Sequence, residues 1–114
     1  MKIIGTAISM TRGDSESISI SCQDELGVKI DLVTGDKIYF TIKKSINTTE
    51  KILQKVVTEF QNGIAFISIL PVDTSLLKYG EYVYDIQLTR GDNTVTTIIE
   101  PSTFTLNGEV TYER

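Results

Sequence analysis

Apolar and polar residues alternate along much of this chain, and this alternation limits its fold more than any other feature of the sequence. A strand with one face on a core and the other in water shows a period of two residues. The pattern is clearest over residues 37–43, and it recurs over residues 15–22 and 81–88. We therefore predict a chain of strands, in which the inward side chains are Ile18, Ile20, Cys22, Ile38, Phe40, Ile42, Tyr82, Tyr84, Ile86 and Leu88.

The middle of the chain allows two interpretations. Residues 52–60 have a composition that a short helix could use, but the β-branched residues Val56 and Val57 favour a strand. Asn62 and Gly63 tolerate the positive φ angles of a tight turn, which predicts a hairpin in which residues 64–70 run back. That returning run is apolar on both faces, as is typical of a central strand.

The second half of the chain predicts one helical turn among strands. Pro71 ends the preceding strand, and residues 73–78 suit a single turn of helix that Asp73 or Thr74 caps and that ends by Gly80. Residues 90–93 then predict another hairpin. Pro101 predicts an edge or a bulge in the last strand, because proline cannot donate a ladder hydrogen bond.

These elements together predict an all-β fold, a β-sandwich of seven to eight antiparallel strands. With 114 residues and no linker-like run, the chain is expected to form a single domain over residues 1–114. The first strand is predicted over residues 3–10, and residues 107–114 are expected to form a polar tail.

Composition argues against several classes of function. The net charge of -4 comes from scattered acids and leaves no basic stripe for nucleic acid. The chain has no histidine and a single cysteine, so we expect no catalytic apparatus, no metal, no cofactor and no internal disulfide. No apolar run reaches the roughly 20 residues of a membrane span, and no signal peptide is expected at the N-terminus.

Tyr82 gives the strand pattern a more specific interpretation. Immunoglobulin-type domains place a tyrosine near the start of the sixth strand, after a short helical turn, with its hydroxyl bonded to the preceding backbone. Tyr82 fits this structural role, the tyrosine corner, and Tyr84 stands where antibody domains have their second cysteine. We therefore predict an immunoglobulin-like sandwich in which packing replaces the disulfide, and in which Cys22 is a buried thiol.

Two Arg-Gly-Asp triplets, at residues 12–14 and 90–92, invite an adhesion interpretation. Because glycine followed by aspartate is common turn chemistry, we favour turns at both places. The acidic residues of the first third of the chain lack the spacing of a calcium loop, and solvated faces account for them better.

Four segments also resemble a known family when they are taken together: residues 9–14, 40–45, 69–74 and 79–88. They resemble the immunoglobulin-like domain of bacteriophage structural proteins, including the N-terminal domain of baseplate upper proteins of phages that infect Gram-positive bacteria. The resemblance implies a non-catalytic structural and assembly protein of the virion, made in the bacterial cytoplasm. The expected location is a tail, baseplate, neck or capsid surface, the expected partners are other virion proteins, and many copies are expected to form a homo-oligomer.

Contacts in such a particle are expected to use the first strand and the C-terminal tail. The candidate interaction residues are Ile4, Ile8, Val110 and Tyr112. The main alternative function is a module that binds a host cell-surface carbohydrate or receptor through exposed groups such as Tyr39, Tyr79 and Asn93. A small-molecule ligand, a membrane and nucleic acid are not expected as partners.

Overall fold

Strands make up most of the structure, which is a computed structural model that describes residues 1–24 and 26–111, with the backbone alone for residues 2–4. Within these residues, ten strands and one short helix follow one another. Their bounds are β1 Lys2–Ile4, β2 Ala7–Thr11, β3 Glu16–Ile20, β4 Cys22–Gln23, β5 Lys29–Ile30, β6 Lys37–Lys43, β7 Lys51–Val57, β8 Ala65–Ile69, α1 Pro71–Thr74, β9 Gly80–Thr89 and β10 Val95–Asn107. The predicted all-β fold is confirmed.

The strands form one large sheet and two small ladders. The large sheet has the order β1-β2-β10-β9-β6-β7, while β3 pairs with β8 and β4 pairs with β5. The prediction of antiparallel strands alone was wrong in one place, because β2 runs parallel to β10, with Ile8 opposite Phe104. The first strand, predicted as one piece, is also a hairpin of β1 and β2. Gly5 turns the chain between them with a φ of 59°.

The inward faces are those that the alternation predicts. All ten predicted inward side chains are buried, and those of β6 are fully so. Phe40, Tyr84 and Phe104 form an aromatic group whose ring centroids lie 5.5 to 6.4 Å apart at tilted or edge-on angles, the arrangement that aromatic pairs prefer. Both the large sheet and the β3–β8 ladder contribute to this one core, which has the character of a β-sandwich.

The predicted strand over residues 15–22 is interrupted. β3 ends at Ile20 and β4 begins at Cys22, where the chain leaves β8 and pairs instead with β5. Both strands still direct their apolar side chains inward. The alternation therefore predicted the buried face correctly and could not show the change of partner.

The turn at Asn62 and Gly63 has the predicted backbone, with φ angles of 53° and 75°. The predicted hairpin was nevertheless wrong. β7 pairs with β6 in the large sheet and β8 pairs with β3, so the turn carries the chain from one sheet to the other. The expectation that β8 is covered on both faces was also wrong, because Phe66 is 44% exposed on the outer side of the ladder.

The helical turn is shorter and earlier than predicted, since α1 spans Pro71–Thr74. Its proline occupies the first turn, where a missing N–H costs nothing. The carboxylate of Asp73 accepts a hydrogen bond from the backbone N–H of Leu70 at 2.7 Å, which caps the start of the helix.

The last two strands confirm the remaining turn predictions. β9 and β10 are an antiparallel hairpin around residues 90–94, with Thr89 opposite Val95. The register of β10 shifts between Thr97 and Ser102, around the proline predicted to mark a bulge. The tail prediction was wrong at its start, since Asn107 belongs to β10.

Candidate functional site

An open groove separates the β3–β8 ladder from the first half of β10. It has a volume of about 1010 Å³, and one wall is formed by residues 19–21 and the other by residues 96–99. In the described part of the chain, β3 pairs on one side only, with β8. β10 pairs with β9 along its length but with β2 only from Phe104 onward. Two strand edges with unpaired backbone groups therefore flank the groove.

The floor and rim of this groove are partly apolar. Ile30, Ile98 and Ile99 are half-buried against the core, and Leu26 at the rim is 89% exposed. A strand edge supplies main-chain hydrogen bonds to an extended segment, and apolar side chains beside it supply contact area. The groove has both features.

A second concave surface, the trough, lies on the outer face of the large sheet. Tyr39 of β6 stands opposite Gln87 of β9, and Thr41 stands opposite Asp85 of β9 and Gln54 of β7. Directly opposite residues share a face of the sheet. Because the alternate residues of β6 face the core, this polar set faces outward. The residues that line the trough are Tyr39, Thr41, Lys43, Lys51, Gln54, Asp85, Gln87, Thr89 and Val95.

Two lysines stand side by side at one end of the trough. Lys43 is the register partner of Lys51, next to a register shift between β6 and β7. Neither lysine has an acidic partner within 4.0 Å in the part of the chain that the structure describes. The amine of Lys51 lies 3.5 Å from the side-chain oxygen of Gln54. This end of the trough is therefore positively charged.

The four candidate interaction residues have different environments. Ile8 is only 3% exposed and packs in the core, so its expected role in contacting a partner is corrected to a packing role. Val110 is fully exposed. The side chain of Ile4 and the whole of Tyr112 lie outside the described residues.

Tyr82 is buried at the start of β9, after the helical turn. Its hydroxyl donates a hydrogen bond to the backbone carbonyl of Lys78, four residues upstream, at 2.5 Å. The neighbouring inward residue Tyr84 donates from its hydroxyl to the carbonyl of Thr6. These two bonds attach β9 to the segments that precede it and to the β1–β2 turn.

The structure does not bring the three exposed groups of the alternative function together. Tyr79 directly precedes β9, whereas Asn93 lies in the turn after it, so about 30 Å of strand separates them. The Tyr79 ring also packs under the guanidinium of Arg12, whose carbon lies 5.1 Å from the ring centroid. Of the three, only Tyr39 lies in the trough.

The first arginine-glycine-aspartate triplet is built into the fold. The Arg12 guanidinium donates to the Glu109 carboxylate at 2.6 Å and to the carbonyl of Leu77 at 2.9 Å. The backbone N–H of Gly13 donates to the hydroxyl of Thr74, which is fully buried. The Arg12 contacts occupy the guanidinium that an adhesive loop would display.

The second triplet is held by a buried carboxylate. Asp36 is 2% exposed, and its oxygens accept hydrogen bonds from the backbone N–H of Val33 and Gly91 and from the side chain of Arg90. Hydrogen bonds from the side chain and backbone of Thr94 lower the pKa of Asp92 at the tip of the turn. The turn interpretation of both triplets agrees with these contacts.

Cys22 is a fully buried free thiol. Burial raises its pKa above the ordinary value of 9.0, although the positive charge of Arg90 opposes the shift. A raised pKa keeps the thiol protonated and unreactive at neutral pH. In the described residues, no group of three or more acidic, cysteine or histidine side chains is placed to hold a metal ion, and no helix is long and apolar enough to cross a membrane.

No protein-family model matches the chain, and no curated protein matches it.

Sequence reasoning missed both concave surfaces. The neighbouring apolar residues Ile98 and Ile99 break the alternation, and this was the available signal for an unusual strand edge. The available signal for the trough was the outward set of β6, in which Tyr39, Thr41 and Lys43 alternate with core residues. Neither signal shows which strands meet, so neither could have located a site without the sheet order.

Proposed function

We propose that the chain is an immunoglobulin-like β-sandwich that serves, without catalysis, as a structural and assembly component of a bacteriophage particle. The strand arrangement supports the fold assignment. A β3–β8 ladder faces a sheet whose core strands are β6, β9 and β10, and β7 extends that sheet beside β6, as the additional strands of variable-type domains do. The hydrogen bond between Tyr82 and Lys78 has the geometry of a tyrosine corner.

The groove between β3 and β10 is the observation that carries the assembly role. Its two unpaired strand edges offer main-chain hydrogen bonds, and Ile30, Ile98 and Ile99 offer an apolar floor. An extended segment of a neighbouring virion protein could add a strand here, pairing with a strand edge and covering the apolar floor. The resemblance to phage structural domains supports the same role, and symmetric copies in a tail, baseplate, neck or capsid surface would each present one groove.

Leu26 allows a direct test, because it lies at the groove rim and is 89% exposed. Leu26→Asp leaves the core intact and puts a charge where the added strand would lie. We expect it to lower incorporation of the chain into purified phage particles by about tenfold or more. Leu76→Asp is the matched control, since Leu76 is 88% exposed and does not line the groove.

Electron microscopy of the assembled particle gives the second readout. We expect density for a strand of a neighbouring protein along β3 or β10. The proposal fails if the chain is absent from purified particles, or if the particle leaves the groove open to solvent. Equal incorporation of the two leucine variants also counts against the groove.

The trough favours a second candidate function, a module that binds a host cell-surface carbohydrate or receptor. Tyr39 is partly exposed there among amide and hydroxyl side chains. Aromatic rings combined with such polar groups are typical of sugar-binding surfaces. This candidate needs no strand edge, so it can be tested separately from assembly.

A further inference from the structure

The trough differs from the groove in the hydrogen bonds that it can make. It lies on a sheet face, where the backbone groups of β6 are already used in ladders with β7 and β9. Its available groups are therefore side chains: the hydroxyls of Tyr39 and Thr41 and the amides of Gln54 and Gln87. The Gln54 amide donates to the Thr41 hydroxyl at 3.0 Å, which positions both groups on β6 and β7.

Positive charge at this surface comes from two lysines. Residues 37–58 contain five lysines and one glutamate, and of the five lysines Lys43 and Lys51 line the trough. Lys55 is neutralised by Asp73 at 2.8 Å. For Lys37, Lys43 and Lys51, no acidic group of the described residues lies within ion-pair distance. Like charges directly opposite on neighbouring strands are destabilising, so an anion between Lys43 and Lys51 would relieve a cost that the fold now bears.

An apolar depression adjoins the trough. It is lined in part by Ile46, Val83 and Pro101, and it shares Thr41, Lys43 and Asp85 with the trough. Asp85 lines both depressions, and its carboxylate would repel an anion, so an acidic group of a ligand is expected beside the two lysines and away from Asp85. A ligand that fits both depressions combines one anionic group, several hydroxyls and a small apolar substituent.

We propose that the trough binds an anionic glycan, with a sugar ring on Tyr39 and an acidic substituent between Lys43 and Lys51. Charge complementarity identifies the acidic group, and the side-chain amides and hydroxyls identify the sugar. An acidic peptide fits less well, because an extended peptide needs backbone partners and this face has none to offer. The site is a specific form of the second candidate function, on which it rests, and it does not depend on the assembly role.

Titration followed by NMR tests the site with defined probes: a sulfated glycosaminoglycan hexasaccharide, neutral maltohexaose and hexaglutamate. We expect the sulfated probe to shift the amide signals of β6 and β7 around Tyr39 and Gln54. Replacing both lysines, as Lys43→Gln with Lys51→Gln, should weaken its binding about tenfold. Tyr39→Ala should lower the affinity for the sulfated probe more than it lowers the affinity for hexaglutamate.

The matched control removes two lysines elsewhere, as Lys29→Gln with Lys78→Gln, and so changes the net charge equally. We expect this control to bind as the parent does. The proposal is overturned if the control loses as much affinity for the sulfated probe as the trough variant does, or if no amide signal of β6 or β7 shifts. It is also overturned if hexaglutamate binds as tightly as the sulfated probe and its affinity is unchanged by Tyr39→Ala. Thermal unfolding of the lysine variants at or above the temperature of the parent shows that a loss of binding comes from the site and not from lost folding. Particle incorporation remains a separate measurement of the assembly role.

Discussion

At the scale of single residues, a few buried polar groups connect segments that are distant in the sequence. Thr74 is fully buried, and its hydroxyl accepts a hydrogen bond from the backbone N–H of Gly13, 61 residues away. Asp36 connects the turn before β6 with the turn after β9. Every such buried group must find a partner, because leaving one unsatisfied costs about 1–3 kcal/mol. No buried side-chain nitrogen or oxygen of the described residues lacks one.

Cys22 and Tyr84 make stability depend on pH in the alkaline range. Burial raises the pKa of both groups above their ordinary values of 9.0 and 10.0. The unfolded chain therefore loses these protons first, so their contribution is fully present below pH 9 and is lost as the pH rises through the folded-state values. We expect the free energy of unfolding, measured with urea, to be level near pH 8 and to fall above pH 9.

The variant Cys22→Ala separates the two groups. It should start from a lower stability and should lack the first part of the fall, leaving the part due to Tyr84. A Cys22→Ala profile parallel to that of the parent between pH 8 and pH 10 would show that the thiol does not contribute.

At the scale of elements, the alternation of apolar and polar residues predicted the buried face of each strand well but did not predict which strands pair. β6 and β9 have the predicted inward residues, and each has a neighbouring strand on both sides in the large sheet. β7 and β8 were predicted as a hairpin because a good turn separates them, yet each completes a different sheet. A turn fixes the local direction of the chain, whereas the pairing of strands depends on contacts made elsewhere.

Gly63, in the turn between those two strands, tests the importance of the crossing. Its φ is +75°, its carbonyl accepts the N–H of Leu32 at 3.2 Å, and a Cβ there would lie 3.1 Å from the Cα of Asp31. We expect Gly63→Ala to lower the free energy of unfolding by roughly 3 kcal/mol, from backbone strain and overpacking together.

Gly27 is the matched control for this change. Its φ is +80°, but a Cβ there would have no atom within 4 Å. Gly27→Ala should therefore cost only the strain, about 1 kcal/mol. Equal costs for the two variants in urea unfolding would mean that the approach of the turn to Asp31 is unimportant.

At the scale of the whole molecule, Arg12 connects the end of β2 with the end of β10. Its backbone N–H donates to the carbonyl of Asn107, and its guanidinium reaches Glu109, Leu77 and the ring of Tyr79. The side chain of Glu109 is only 9% exposed, although the sequence placed it in a polar tail. These contacts attach the end of β10 to β2 and to the connection before β9.

Arg12→Met should therefore loosen several segments at once. We expect a loss of about 2 kcal/mol in urea unfolding, because a largely buried ion pair and a hydrogen bond to a carbonyl disappear together. Hydrogen exchange should show faster exchange at the N–H of residue 12 and along the end of β10.

Lys29→Met is the control, since its ion pair with Asp31 is 3.4 Å long and both side chains are well exposed. That change should cost less than about 0.5 kcal/mol. If the two variants lose similar stability, the ends are held by β2–β10 pairing and not by Arg12.

The sequence by itself determined the strand class, the inward faces of β3, β6 and β9, and the backbone of most turns. These are local properties, set by a period of two and by the φ angles that glycine and asparagine tolerate. The tertiary structure alone decided that β2 runs parallel to β10 and that β7 and β8 belong to different sheets. It also decided that Lys43 stands beside Lys51 on the sheet face that carries Tyr39. Those outcomes depend on contacts between residues far apart in the chain, such as the 97 positions between Arg12 and Glu109, and no local pattern contains them.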